Sequence, residues 1–242
     1  MISNLYDETD PNSIYEYAKK LEGKTFNQIC EEDAIGTKET ESKYSYEARK
    51  RKGGLGELVE ERYFKYKANN DSEPDFKEAG VELKVTPYKI NKNGTISSKE
   101  RMILTMIDYD EIVETDFYDN SLWKKCQLIL IVFYLWEKEI ESRLDYIINF
   151  VNLYSPPKED LKIIIDDYNL IRAKVRAGKA HELSEGDTNY LGAATKAATA
   201  ANLRKQPFSD VLAKPRAFSF KNSYMTYVLR NYVAGKDEPY EK

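Results

Sequence analysis

From Val81 to Val85 apolar and charged residues alternate with period two, Val81-Glu82-Leu83-Lys84-Val85. That is the pattern of a strand whose Val81, Leu83 and Val85 face a core while Glu82 and Lys84 share the other face. Elsewhere the period is helical. Ile14, Tyr17, Ala18 and Leu21 recur at helix spacing, with Asn12-Ser13 able to cap the start and Gly23 the end. Gly53-Gly54-Leu55-Gly56 leads into a second helix with Leu55, Leu58, Val59 and Arg62 or Tyr63 along one side. Asn91-Lys92-Asn93-Gly94 is a hairpin turn signal ahead of a strand over 102–107. Leu128 to Trp136 is an unbroken apolar run, which predicts a central buried strand, and a further strand is predicted over 146–154. Pro156-Pro157 stop the sheet, and 158–176 predict a long helix burying Leu161, Ile164, Ile165, Tyr168 and Ile171, closed by Gly178. A glycine- and alanine-rich stretch, a strand over 216–221 and a helix from Ser223 to about Val233 follow, while the polar segment 36–45 reads as a loop. Strands flanked by helices predict an α/β or mixed-sheet α+β fold.

Composition narrows the class. With 242 residues the chain can bury a substantial core as one domain or two close lobes, and it shows no internal repeat or clear linker. No apolar run approaches the roughly twenty residues of a membrane span. The start, Met1 to Glu8, lacks a basic and then apolar leader, so a cytoplasmic, prokaryotic protein is expected. Cys30 and Cys126 lack metal-ligand spacing and are expected to be reduced, Cys126 buried at its strand. The net charge of −4 at first argues against nucleic acid, but the charge is polarised. Between Thr188 and Gly235 stand Lys196, Arg204, Lys205, Lys214, Arg216, Lys221 and Arg230 against the single acid Asp210, and Arg49-Lys50-Arg51-Lys52 form a second cluster. Acids gather in Glu31-Glu32-Asp33, 137–145 and 159–167, as on an outer surface. Such a distribution steers a polyanion to one groove, although a merely solvated basic face has the same composition.

The chemistry concentrates at one strand. Asp75 precedes Glu82 by six intervening residues, and a turn at Ala79-Gly80 brings it alongside Glu82 on the face that carries Lys84. Two hard oxygen donors and an ammonium suit Mg²⁺-assisted phosphodiester hydrolysis: the carboxylates hold the ion, and Lys84 orients water or neutralises charge at phosphorus. The same acid-x-lysine spacing also fits an ordinary solvated strand face. Glu60, on the preceding helix, can add a third oxygen, directly or through water, and a lysine at Lys124-Lys125 can reach a phosphate. Three other features have plainer readings. His181 is the one histidine, and no second follows His181-Glu182, so a structural or DNA-proximal role suits it better than zinc. The nineteen tyrosines are scattered and fit core and surface positions better than a stacking platform. Gly53-Gly54-Leu55-Gly56 lacks the strand and the lysine-serine or lysine-threonine of a phosphate loop.

Gly56-Glu57-Leu58-Val59-Glu60, then Asp75 and Glu82-Leu83-Lys84, resemble MutH and the type II restriction endonucleases that cut at GATC. The resemblance continues through 97–101, 178–186, 195–198, 215–221 and 223–226, and covers nearly the whole chain. The run His181-Glu182-Leu183-Ser184-Glu185-Gly186, the segment Gln206 to Asp210 and the serine at Ser219 lean toward the restriction enzymes. The resemblance implies a restriction-endonuclease-like core with two arms around a DNA cleft, as a single domain over 1–242. An N-terminal lobe of about 1–125 would hold most of the catalytic centre, and a C-terminal lobe of about 126–242 the recognition elements. It implies a catalytic set of Glu60, Asp75, Glu82, Lys84 and Lys125, with Lys124 one register away. Mg²⁺ would be held by Asp75, Glu82 and the Leu83 backbone carbonyl, with Glu60 through water. DNA contacts are expected from Lys196, Arg204, Lys214, Arg216, Ser219 and Lys221, whereas Ala194 stands where MutH has an arginine. The expected activity is restriction cleavage of duplex DNA at GATC; a MutH-like strand nickase and a silent DNA-binding module are the alternatives. A monomer that pairs on its site is expected, and the chain can be the catalytic half of a longer protein.

Overall fold

The computed structural model describes residues 5–36, 54–66, 73–196 and 201–235. Arg49-Lys50-Arg51-Lys52 and nearly all of the segment 36–45 lie outside them. The strand order is governed by β4, Ile129–Leu135, whose residues are buried almost to its end. It runs parallel to β1, Glu82–Ile90, with Glu82 opposite Ile129 and Lys84 opposite Ile131. On its other side it pairs antiparallel with β5, Ile148–Tyr154, and β1 pairs antiparallel with β2, Ile96–Ser98. The result is a mixed four-stranded sheet ordered β2-β1-β4-β5.

Because β4 is covered on both faces, successive side chains feed two different cores. Ile129, Ile131 and Phe133 pack with Ile164, Tyr168 and Ile171 of the long helix, Lys158–Arg176. Leu130, Val132 and Tyr134 pack with Val81 and Leu83, with Ile14 and Ala18, and with Leu55, Leu58 and Val59. Each such side chain contributes about 1.5–3 kcal/mol by leaving water. Residue 125 does not divide the architecture, since β1 and β4 lie side by side across it. The two cores are separated by the sheet itself.

Several elements differ in detail from the sequence expectation. α1, Pro11–Lys19, is capped by Asp10, whose carboxylate accepts the Asn12 and Ser13 N–H groups at 3.0 and 3.3 Å. Pro11 needs no N–H partner at a helix start, so the cap falls one residue before it. The turn at Asn91–Gly94 leads to β2, not to the strand of Met102–Met106. That strand, β3, pairs with β9, Arg216–Phe220, which also pairs with β6, Leu191–Thr195, to give a second sheet β3-β9-β6. Cys126 is fully buried, but it ends a short helix, Ser121–Cys126, one step before the strand. Helices Phe26–Gly36, Tyr109–Glu114 and Ser121–Cys126 and the hairpin of β7, Arg204–Gln206, and β8, Ser209–Ala213, carry too few apolar repeats to stand out in the sequence.

A buried carboxylate ties the second sheet to the long helix. Asp167, with no exposed surface, accepts the N–H groups of Asn189, Tyr190 and Leu191 at 2.8, 2.6 and 2.9 Å. It fixes the start of β6 to the long helix. Asp167→Ala strands these donors, so urea unfolding is expected to show a loss of about 3 kcal/mol or more. A loss below about 1 kcal/mol would mean that water replaces the carboxylate.

Candidate active site

The start of β1 is shaped by a tight turn. Phe76 and Val81 bond to each other in both directions, at 2.9 and 3.2 Å, and the intervening reversal uses Gly80 at φ +66°. A side chain is strained at that φ, which explains glycine there. The reversal sets Asp75 beside Glu82, and Asp75 Oδ2 accepts the Leu83 N–H at 2.8 Å. The structure therefore brings Asp75, Glu82 and Lys84 together as the spacing anticipated.

Glu82 is only 2% exposed, and each of its oxygens accepts from one lysine, which leaves each a further lone pair. Oε1 accepts from Lys84 Nζ at 2.5 Å and Oε2 from Lys125 Nζ at 3.0 Å. Lys125 comes from the last turn of the helix Ser121–Cys126, whose start Asn120 caps through the Leu122 N–H at 2.9 Å. Leu122 and Cys126 of that helix are buried in the core, which aims the intervening Lys125 inward. Lys124, about 100° around the helix, instead pairs with Glu73 at 2.7 Å near the surface. Of the two adjacent lysines, geometry selects Lys125.

Glu60 reaches the same place from the other core. The helix Gly54–Leu58 widens at Val59–Tyr63 into a π turn, with Leu58, Val59 and Tyr63 buried. Gly56 lies one turn before Glu60, and a Cβ there would stand in ordinary contact with Glu60 Oε1, at 4.0 Å. Arg62 and Lys65 both bind Asp33, Arg62 at 2.7 Å, and the Tyr63 hydroxyl donates to the Tyr17 carbonyl at 2.7 Å. Asp33 was expected on an acidic outer surface; it is instead 8% exposed. Its role had no signal in the sequence, because both cations lie about thirty residues away.

Burial and mutual repulsion set the electrostatics. Burial, then the charge of Asp75, pushes the Glu60 carboxyl up to about 7, with Lys84 opposing. Burial, then Glu82, pushes Asp75 up to about 6, against Lys84, the Leu83 N–H and Lys125. Three carboxylates thus face two ammoniums, leaving one negative charge in excess when all are ionised. Among the described residues the Glu60 carboxylate accepts no hydrogen bond, and the Asp75 carboxylate accepts through Oδ2 alone. The donors are hard oxygens with lone pairs unspent, which fits a divalent cation that keeps several waters. They are not an all-protein cage: no group of three such ligands stands ready-made among the described residues.

The basic candidates sort by accessibility. Lys196, Arg204 and Lys214 are exposed. Arg216 is half-buried, donating to the Ala193 carbonyl at 3.1 Å and to Thr195 Oγ1 at 2.8 Å. Two of the residues expected to contact DNA are drawn inward in the free chain. Ser219 has no exposed surface and its hydroxyl points to the Gly192 carbonyl at 3.5 Å, so it lies within the sheet and not on a groove. Lys221 spends its ammonium on the Thr188 carbonyl while its stem lies over Gly192. His181 Nδ1 meets Gln206 Nε2 at 3.0 Å and belongs to the support of the β7–β8 hairpin.

A mixed sheet flanked by helices, with an acid-x-lysine pair at the start of a core strand and two elements delivering a further acid and lysine to it, is the framework of a restriction-endonuclease-like domain. Comparison with known proteins makes the assignment specific. The family model described as DNA mismatch repair enzyme MutH matches residues 64–167. The chain is 42% identical over 208 residues to the type II restriction enzyme Sau3AI of Staphylococcus aureus, across 85% of this chain and 42% of that enzyme. By both comparisons the chain is similar to MutH and to the type II restriction endonucleases. It spans less than half the length of the restriction enzyme it matches.

The raised carboxyls make a signed prediction. Glu60 and Asp75 hold protons more tightly in the folded than in the unfolded chain, where the ordinary values are 4.5 and 3.8. Their contribution to stability is therefore complete below those ordinary values and is lost as pH rises through about 6 to 7. Cation-free protein is expected to melt at progressively lower temperature between about pH 5 and pH 8. Glu60→Gln should flatten that slope, and millimolar divalent cation should raise the melting temperature most at the alkaline end. An identical slope in Glu60→Gln would show that these carboxyls do not govern it.

Proposed function

We propose that this chain is the catalytic part of a Mg²⁺-dependent type II restriction endonuclease that hydrolyses duplex DNA at GATC. The observation that carries the reading is Glu82, buried between Lys84 and Lys125 and flanked by Asp75 and Glu60. The match to a type II restriction enzyme over 85% of the chain supports the reaction class. The GATC site follows from the motif resemblance. In this reading Asp75, Glu82 and the Leu83 carbonyl hold Mg²⁺, with Glu60 bound through water. When bound, the ion polarises the phosphoryl group and acidifies a water.

The chain's own groups do the rest. Lys84, at the more exposed end of the Glu82 pairing, orients the attacking water and offsets charge gathering on the phosphate. Lys125, 8% exposed, holds Glu82 in place and is shielded from solvent. Two arms around a cleft place the duplex over this end of β1, and Lys196, Arg204, Lys214 and Arg216 hold its phosphates. A protomer with one centre cuts one strand at a time, so a double break takes two chains on the palindrome or two successive events.

The family model's own description, a mismatch repair enzyme, favours a second reading: a strand nickase that waits for partner proteins. Digestion of unmodified plasmid bearing one GATC site, without helper proteins, separates the two. Linear product is expected from the restriction enzyme; slow nicking alone would favour the nickase, and intact plasmid would remove the nuclease reading.

Variants divide chemistry from grip. Asp75→Ala and Glu82→Ala should lower cleavage by several orders of magnitude while duplex binding in Ca²⁺ persists, and near-native cutting by either removes the site. Lys84→Ala should depress the single-turnover rate with little change in affinity, and Lys125→Ala less severely. Lys196→Ala should weaken binding and make its salt dependence shallower, with the chemical step intact. The opposite pattern would exchange the roles of Lys84 and Lys196.

A further inference from the structure

The β7–β8 hairpin is built in a way that the catalytic centre does not explain. At its tip Phe208 is 70% exposed, the most exposed large apolar side chain among the described residues, and it holds φ +61°, where glycine would sit unstrained. The tip is nonetheless fixed. A Cβ on Gly178, itself at φ +70°, would lie 2.6 Å from the Phe208 carbonyl oxygen, so the hairpin rests directly on the end of the long helix. Beneath it Gln206 is 8% exposed and accepts the Ala180 N–H at 2.7 Å. The Gln206 amide also donates to the Val211 carbonyl and meets His181 Nδ1 at 3.0 Å. Val211 and Leu212, 51% and 47% exposed, extend the apolar surface down β8.

The base of the hairpin is cationic. The Tyr109 hydroxyl donates to the Lys214 carbonyl at 2.6 Å, and Arg216 and Arg204 both act electrostatically on that hydroxyl. Arg204 pairs with Ala213, the neighbour of Lys214, across the base of the hairpin, Lys205 follows Arg204, and Asp210 is the one acid between Thr188 and Gly235. An apolar tip above a cationic base complements a duplex: phosphates on the outside, stacked apolar bases within. Side chains of this kind enter between base steps and unstack them. A protein partner would leave those cations without counter-charges unless it were strongly acidic.

We propose that Phe208 is a wedge that enters the base stack of bound duplex DNA, with Arg204, Lys214 and Arg216 holding the flanking phosphates. This rests on the DNA-cutting reading above and adds a site to it. The wedge is presented ready-formed, so binding does not have to order the hairpin.

The test uses duplexes in which 2-aminopurine replaces the adenine of GATC or a base in either flank, titrated with protein in Ca²⁺. Wild type should raise the fluorescence several-fold at one position. Phe208→Gly, which relieves the backbone and removes the ring, should fold normally by circular dichroism and melting. It should lose the fluorescence rise and bind about tenfold more weakly with an unchanged salt slope. Phe208→Trp should keep the signal. A Phe208→Gly complex as bright as wild type, or a wild-type complex bright at no position, overturns the wedge even if GATC is cut. A change in DNA-free solution mass on Phe208→Gly would assign the ring to a protein interface and also overturn it. Failure of the wild type to bind or cut GATC duplex is a separate result, and it removes the underlying reading along with the wedge.

Discussion

A buried glutamate held by two lysines is the interaction on which the rest of the site depends. Glu82 stands at the first position of β1, where the parallel ladder with β4 begins, and almost no water reaches it. An unpaired carboxylate there would cost several kcal/mol. Lys84 supplies one counter-charge from the same strand, and Lys125 supplies the other from a helix that the core orients. Satisfying Glu82 thus fixes the place of the helix Ser121–Cys126 against β1. Removing either lysine would leave charge in a poorly solvated place, so the catalytic role proposed for these lysines falls on atoms that also hold the structure.

Around this anchor the other two acids are held by constraints of a different kind. Asp75 depends on a turn through Gly80 and on one backbone N–H. Glu60 depends on a π turn clamped by Asp33 through Arg62 and Lys65 and by the packing of Tyr63 on Tyr17. A π turn shifts the side chains that follow it relative to a regular helix, and such irregularities are common where function needs a displaced group. The excess negative charge that results is relieved by protons at low pH, and its hard oxygens suit a divalent cation. The same imbalance accounts for the raised carboxyls and for the fitness of the site for a metal.

The basic surface shows a parallel division of labour. Lys196, Arg204 and Lys214 remain exposed, while Ser219 and Lys221 are drawn into the sheet and its connections. In β9 successive side chains alternate between faces, yet Ala217 to Phe220 are all buried, because the strand lies between β3 and β6 and is packed on both sides.

The chain by itself determined the period-two strand carrying Glu82 and Lys84, the turn that returns Asp75, the buried run of β4 and the long helix that ends at Gly178. These are local patterns: each is set by neighbours within a few residues, through side-chain alternation, helical spacing and glycine at positive φ. The tertiary structure decided what depends on distant partners. It chose Lys125 over Lys124, because the burial of Leu122 and Cys126 rotates one lysine inward and leaves the other at the surface. It turned Asp33 from a member of an acidic run into a buried clamp, and it assigned the strand of Met102–Met106 to a sheet more than a hundred residues away in sequence. Burial and charge pairing of this kind come from which surfaces meet, and the sequence records the residues without recording the meeting.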